Sequence, residues 1–137
     1  MTYGDILVPG HNYTGMLQVF EETKCGVVIS VNWVQDPYRG AAVYLGSDSQ
    51  VVRIEEKPPK GTATTNWNNA GIYVFDPVIF EYTARLTPSA RGEYELPDAI
   101  QAMLSDGLDA RGYPLDGFWT DIGTPEDVKA AAELFDS

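Results

Sequence analysis

Residues 27–34 hold four valines, one isoleucine and one tryptophan. β-Branched and aromatic side chains suit the pleated backbone, and a short run that is apolar on both faces predicts a strand covered on both sides. Residues 70–75 repeat that character. The flanking sequence supplies helices to do the covering. Met16, Val19 and Phe20 share one face of a helix predicted from Tyr13 to just before Gly26, with Lys24 in its last turn. Asp76-Pro77 opens a second helix, with Ile79, Phe80 and Ala84 as its apolar face. Leu96, Ala99, Ile100, Met103 and Leu104 keep helical spacing up to Gly107. Thr124 as N-cap, Pro125 behind it and acids in the first turn start a last helix, whose buried stripe is Val128, Ala131, Ala132 and Phe135. Residues 41–45 and 51–55 flank a turn-rich segment as a hairpin, and residues 108–115 and 117–121 add short strands. Strands alternating with helices predict an α/β domain with a mixed β-sheet, flanking helices and an inserted β-hairpin. A chain of 137 residues suits one domain spanning 1–137. Asp5 is expected to close a central strand of which residues 1–4 are the remainder, leaving one sheet edge or face open.

Nine Lys and Arg face twenty Asp and Glu, a formal net charge of −11. Binding a phosphate backbone needs clustered cations, so nucleic acid is excluded as a partner, and an anionic membrane surface with it. A phosphorylated small molecule would still be held by a local Lys, Arg, backbone N–H or metal ion. No stretch reaches the roughly 20 apolar residues of a membrane span. Residues 1–5 lack the basic and apolar regions of a signal peptide. Cys25 is the only cysteine. Ahead of an apolar strand it reads as a buried, inert thiol, and a chain without an intrachain disulfide suits a cytoplasmic setting.

Five segments carry chemistry: Tyr3-Gly4-Asp5, Tyr38-Arg39-Gly40-Ala41-Ala42, Glu55-Glu56-Lys57-Pro58, Asn69-Ala70-Gly71-Ile72-Tyr73 and Trp119-Thr120-Asp121-Ile122-Gly123-Thr124-Pro125. In this order and spacing they resemble the sugar-1-phosphate nucleotidyltransferases, the family that makes NDP-sugars, over nearly the whole chain. The resemblance implies a truncated Rossmann-like nucleotidyltransferase fold. It also implies a reaction in which a sugar-1-phosphate oxygen attacks the α-phosphorus of an NTP and releases pyrophosphate. Both substrates are anionic, so cations and Mg²⁺ are expected at the site.

The resemblance makes Asp5 and Asp121 the Mg²⁺ ligands. Read alone, Asp5 is a turn residue and Asp121 a solvated loop residue. Lys57 becomes the catalytic cation on the sugar phosphate, and Glu56 an acceptor for two vicinal hydroxyls. The alternative for this pair of positions is a hairpin-end ion pair with Glu55. Gly40 is either the bare backbone against which the sugar lies or a plain loop glycine. Asn69 and Gly71 are implied to line the sugar pocket. Glu95 is a further hydroxyl acceptor or an acid in a helix's first turn. Trp119 is read as packing beside the metal loop, and His11 as a loop residue, because the nucleophile is already ionised.

The family's glycine-rich loop, G-x-G-x-R-[ML]-x-P-x-T, cradles the triphosphate with backbone N–H groups. No segment of the chain matches it. The chain is therefore expected to be the C-terminal, sugar-1-phosphate-binding half of a nucleotidyltransferase domain. It is expected to bind NTP only when an N-terminal half is supplied, and to form a homo-oligomer through its open sheet. The alternative expectation is a non-catalytic sugar-phosphate-binding or oligomerising remnant module.

Overall fold

The valine-rich run becomes the strand around which the fold is assembled. The computed structural model describes residues 1–136, with the side chains of Phe135 and Asp136 outside that description. The chain runs β1 (Ile6–Leu7), α1 (His11–Thr23), β2 (Val27–Trp33), β3 (Ala41–Leu45), β4 (Val51–Glu56), β5 (Trp67–Phe75), α2 (Ile79–Thr83), α3 (Leu96–Ser105), β6 (Ala110–Pro114), β7 (Thr120–Asp121) and α4 (Pro125–Asp136), with 3₁₀ turns at Pro37–Arg39 and Ser47–Ser49. Five strands form one mixed sheet in the order β4-β3-β5-β2-β6, while β1 and β7 pair as a separate antiparallel ribbon. Only β2 and β6 run parallel; the other ladders of the large sheet are antiparallel.

The alternation of β2 side chains explains the two layers. Val27, Ile29 and Val31 point into a core shared with Tyr73, Ile79, Tyr82, Ile100 and Met103 of β5, α2 and α3. Val28 points the other way, into a smaller core with Met16, Cys25 and Ile72 beneath α1. Each fully buried aliphatic side chain of this kind contributes roughly 1.5–3 kcal/mol. The buried Cys25 thiol donates to the Val27 carbonyl at 3.3 Å, in keeping with a packing role.

Several expectations shift. Helix α1 begins at His11, so His11 is a helical residue; α1 ends where Lys24 turns left-handed (φ 54°) and its N–H bonds the Phe20 carbonyl. Helix α2 buries Ile79 and Tyr82, whereas Phe80 is 73% exposed and Ala84 is exposed. Positions three apart share a helix face and adjacent ones do not, so the face toward α3 excludes Phe80. Helix α4 buries Ala131, but Val128 and Ala132 face solvent, and Phe135 lies outside the described side chains. Its start is as expected: the Asp127 N–H donates to Thr124 Oγ1, and Asp127 Oδ2 accepts from the Gly123 and Thr124 N–H groups. No helix among the described residues is long and apolar enough to cross a membrane.

Residues 1–4 form no strand. Thr2 makes an isolated antiparallel bridge to Ile72, the Tyr3 N–H bonds the Gly71 carbonyl, and Met1 and Tyr73 exchange backbone bonds. Asp5 accordingly precedes β1 and does not end a central strand. A wide bulge in β5 is the cause. Ile29 pairs with Tyr73 and Val31 with Asn69, so Ser30 alone faces Ala70, Gly71 and Ile72. Ser30 is fully buried and its Oγ accepts the Ile72 N–H at 3.0 Å, satisfying one donor that the ladder loses. Gly71 makes the turn at φ +86°. The displaced carbonyls are captured from outside the sheet: Gly71 by the Tyr3 N–H, and Ala70 by Trp119 Nε1 at 2.9 Å. Trp119 is thereby a packing residue.

Candidate functional site

The β5 bulge borders a solvent-open cleft of about 490 Å³ whose lining includes Asp5, Arg39, Gly40, Asn68, Gly71 and Asp121. The β1–β7 ribbon brings the two aspartates together. Ile6 pairs with Asp121, and the Ile122 N–H donates to the Asp5 carbonyl at 2.7 Å. Both side chains are exposed. Among the described residues no three His, Cys, Asp or Glu side chains cluster to cage a metal. Two exposed carboxylates in one cleft nevertheless fit Mg²⁺, which takes one or two carboxylates and fills its octahedron with waters and substrate phosphate oxygens.

Asn69 and Gly71 are both in this wall, and both are engaged by the fold. Asn69 Nδ2 donates to the Tyr73 hydroxyl at 2.6 Å, and its Oδ1 accepts the Gly71 N–H at 3.1 Å. The Tyr73 hydroxyl also lies 3.4 Å from that of Tyr3. Burial foremost, then the neighbouring Tyr3, pushes the Tyr73 phenol well above its ordinary range. A Cβ on Gly71 would come within 2.7 Å of Tyr3 Cδ2, and one on Gly40 would overlap Asn68 Oδ1. The bare face of Gly40 thus meets a neighbouring amide.

Glu56, Lys57 and Glu95 line a second cleft, of about 470 Å³, together with Arg91. The two clefts adjoin, because the Lys57 N–H donates to the Gly40 carbonyl at 2.7 Å. Lys57 holds a left-handed backbone, φ +42°, which costs a non-glycine residue about 1–2 kcal/mol. Its exposed ammonium makes no hydrogen bond or ion pair among the described residues. The alternative, a hairpin-end pair with Glu55, does not form; Glu55 bonds Arg53 at 2.5 Å instead.

Burial raises the Glu56 carboxyl above its usual range, with the Glu95 carboxylate adding to the rise and Lys57 and Arg91 opposing it. Glu95 is 8% exposed and stands at the N-cap of α3, where its side chain makes no capping bond. It turns instead to Arg91, whose guanidinium holds it below the usual carboxylate range. Arg91 also reaches Glu93 at 3.1 Å and lies 3.9 Å from Glu56. Arg91 belongs to none of the five motif segments. The signal available was the alternation Arg91-Gly92-Glu93-Tyr94-Glu95, an isolated cation within reach of two acids. His11 sits apart from both clefts, with Nε2 3.0 Å from Asp116 Oδ2 at the surface.

Residues 2–136 match the family model described as nucleotidyl transferase. The low-salt glycan biosynthesis nucleotidyltransferase Agl11 of Haloferax volcanii is 34% identical over 119 residues, which is 87% of this chain and 33% of that protein. The bifunctional protein GlmU of Methanococcus maripaludis is 38% identical over 107 residues, 78% of this chain and 26% of that protein. A Bacillus anthracis structure described as a glucose-1-phosphate thymidylyltransferase in complex with a sucrose aligns with a TM-score of 0.76 at 30% identity, over 96% of this chain and 51% of that one. The chain spans a third or less of the length of these two curated relatives.

Proposed function

The chain belongs to the nucleotidyl transferase family, and we propose that it forms the sugar-1-phosphate side of a nucleotidyl-transfer site, as the C-terminal half of such a domain. The observation that carries this reading is the 2.7 Å bond from the Lys57 N–H to the Gly40 carbonyl. It sets the Glu56–Lys57–Glu95 cleft beside the Asp5–Asp121 cleft, so that a sugar phosphate could engage both. An ammonium with no internal partner suits a phosphate as a point charge, and Lys57 stands where the clefts meet. Glu56 and Glu95 present carboxylate oxygens to sugar hydroxyls on the same side. The attacking phosphate oxygen is already ionised, so these residues bind and orient it and no base is required. Asp5 and Asp121 would hold Mg²⁺, which when bound neutralises charge on the reacting phosphates. Binding of the NTP triphosphate is assigned to chain outside these residues. Cytoplasmic placement accords with the lone buried thiol. A homo-oligomer would use the apolar groove of Met1, Tyr13, Leu17 and Val74.

Calorimetric titration with glucose-, mannose- and N-acetylglucosamine-1-phosphate in the presence of Mg²⁺ tests the reading. Binding of at least one is expected, and Lys57→Ala should weaken it about 10–100-fold through loss of a charge-assisted hydrogen bond. No heat with any of the three refutes it. Pyrophosphate release on adding a nucleotide-binding half in trans would show turnover. Binding without turnover would favour a non-catalytic sugar-phosphate-binding module.

A further inference from the structure

We infer that Asn68, outside the motif, carries an amide oxygen that accepts a sugar hydroxyl in the cleft beside Gly40; this rests on the sugar-1-phosphate reading above. Asn68 lies on β5 opposite Asn32 of β2 and Ala42 of β3, and it is 8% exposed. Its Nδ2 donates to Asn32 Oδ1 at 2.9 Å and to the Asn69 backbone carbonyl at 3.0 Å. A backbone carbonyl only accepts, so this contact fixes which end of the amide is nitrogen. Both amide hydrogens are thereby used.

Oδ1 is left with two lone pairs and no donor among the described residues. An amide oxygen sealed in that state is costly. No polar side-chain atom among the described residues is both sealed and without a partner. Oδ1 therefore keeps some exposure; it rests against the bare Cα of Gly40, and both residues line the cleft. Asn69 lines the same cleft with one amide hydrogen given to Tyr73 and one lone pair to the Gly71 N–H, so it keeps one of each, whereas the Asn68 oxygen keeps both lone pairs. The chemistry also fixes which end of the ligand is met. A carbonyl oxygen takes a hydroxyl donor and repels phosphate oxygens, so Asn68 faces the sugar ring while Lys57, joined to Gly40, faces the phosphate. Asn32 is a positioning residue that holds the amide in this orientation.

The test is calorimetry of the chain with the three hexose-1-phosphates and with monodeoxy analogues of the one that binds. Asn68→Ala should weaken the parent ligand roughly tenfold, the effect of one hydrogen bond of about 1.4 kcal/mol. One deoxy analogue should bind the unaltered chain and the variant alike, identifying the hydroxyl. Equal affinity of variant and unaltered chain for the parent overturns the inference and leaves the sugar-phosphate reading standing. An equal loss for every deoxy analogue also overturns it, because that marks a structural role. No binding by the unaltered chain overturns both. Should the variant not fold, side-chain amide NMR of the unaltered chain decides. Titration is expected to move the Asn68 NH₂ signals, and signals that stay in place refute the assignment.

Discussion

Replacing Gly71 with alanine tests the β5 bulge on which the first cleft depends. Two costs apply. At φ +86° the new residue would sit in the left-handed region, at about 1–2 kcal/mol. Its Cβ would also lie 2.7 Å from Tyr3 Cδ2, and such overpacking adds about 1–3 kcal/mol. Tyr3 is 43% exposed, so its ring can swing aside and the second cost falls toward the low end. The expected total is about 2–4 kcal/mol, read as a lower urea midpoint at unchanged m. A double-mutant cycle separates the two costs. In a Tyr3→Ala background the packing conflict is gone, and Gly71→Ala should cost only about 1–2 kcal/mol, the backbone share. Gly71→Asn should be milder than Gly71→Ala, because Asn tolerates left-handed backbone better. A Gly71→Ala chain within about 0.5 kcal/mol of the unaltered one would refute the backbone account. Equal costs in the two backgrounds would refute the Tyr3 account.

Lys57→Gly should be more stable than Lys57→Ala by about 1 kcal/mol in urea unfolding, since only glycine holds φ +42° freely, while both lose hexose-1-phosphate binding equally. Arg91→Ala should lower the urea midpoint, because Glu95, 8% exposed, loses its guanidinium partner; Arg91→Lys, with an ammonium that cannot reach Glu93 and Glu95 in the same way, should restore only part. Glu56 gives a pH signature. Its folded carboxyl titrates above the ordinary 4.5, so the native state binds more protons there, and Glu56's contribution falls as pH rises from that value through the folded one. Glu56→Gln removes this loss. The variant should gain stability relative to the unaltered chain as pH climbs through that window, hold the gain at neutral pH, and show none well below pH 4.5; a pH-independent difference would contradict it.

The fold was legible where a segment's own pattern determines its structure. Residues 27–31 form a central strand buried on both faces, as their apolar side chains predict, whereas Trp33 at its end is 64% exposed and Val34 lies beyond β2. Polar residues at the start of β5 hid its first turn of ladder. Trp67, Asn68 and Asn69 resemble a loop by composition, yet they pair with Trp33, Asn32 and Val31. There the partner strand supplies what local preference does not. The same applies to residues 1–4. Their backbone could have extended a strand, but β5 is bulged at the place they approach, so only one bridge forms.

At the site, residue type was legible and division of labour was not. Asp5 and Asp121 are far apart in the chain, and only the pairing of β1 with β7 makes them neighbours. Glu56 and Lys57 were readable as an acceptor beside a cation, but the Glu56 carboxyl is raised first by burial and then by Glu95, against Arg91, and both of those residues arrive from the loop before α3. The Asn69-Ala70-Gly71 segment shows why a motif is not yet a role. Asn69 bonds the turn, Gly71 makes it, and Ala70 offers its carbonyl to Trp119, so all three first serve to push β5 out of register. Asn69 keeps one amide hydrogen and one lone pair beyond these bonds. Asn68, one position earlier and outside the motif, keeps both oxygen lone pairs because its amide hydrogens are spent on Asn32 Oδ1 and the Asn69 carbonyl. What each of two adjacent asparagines can offer a ligand thus depends on the hydrogen bonds the fold has already made, and one of these, from Asn68 to Asn32, comes from a strand distant in the sequence.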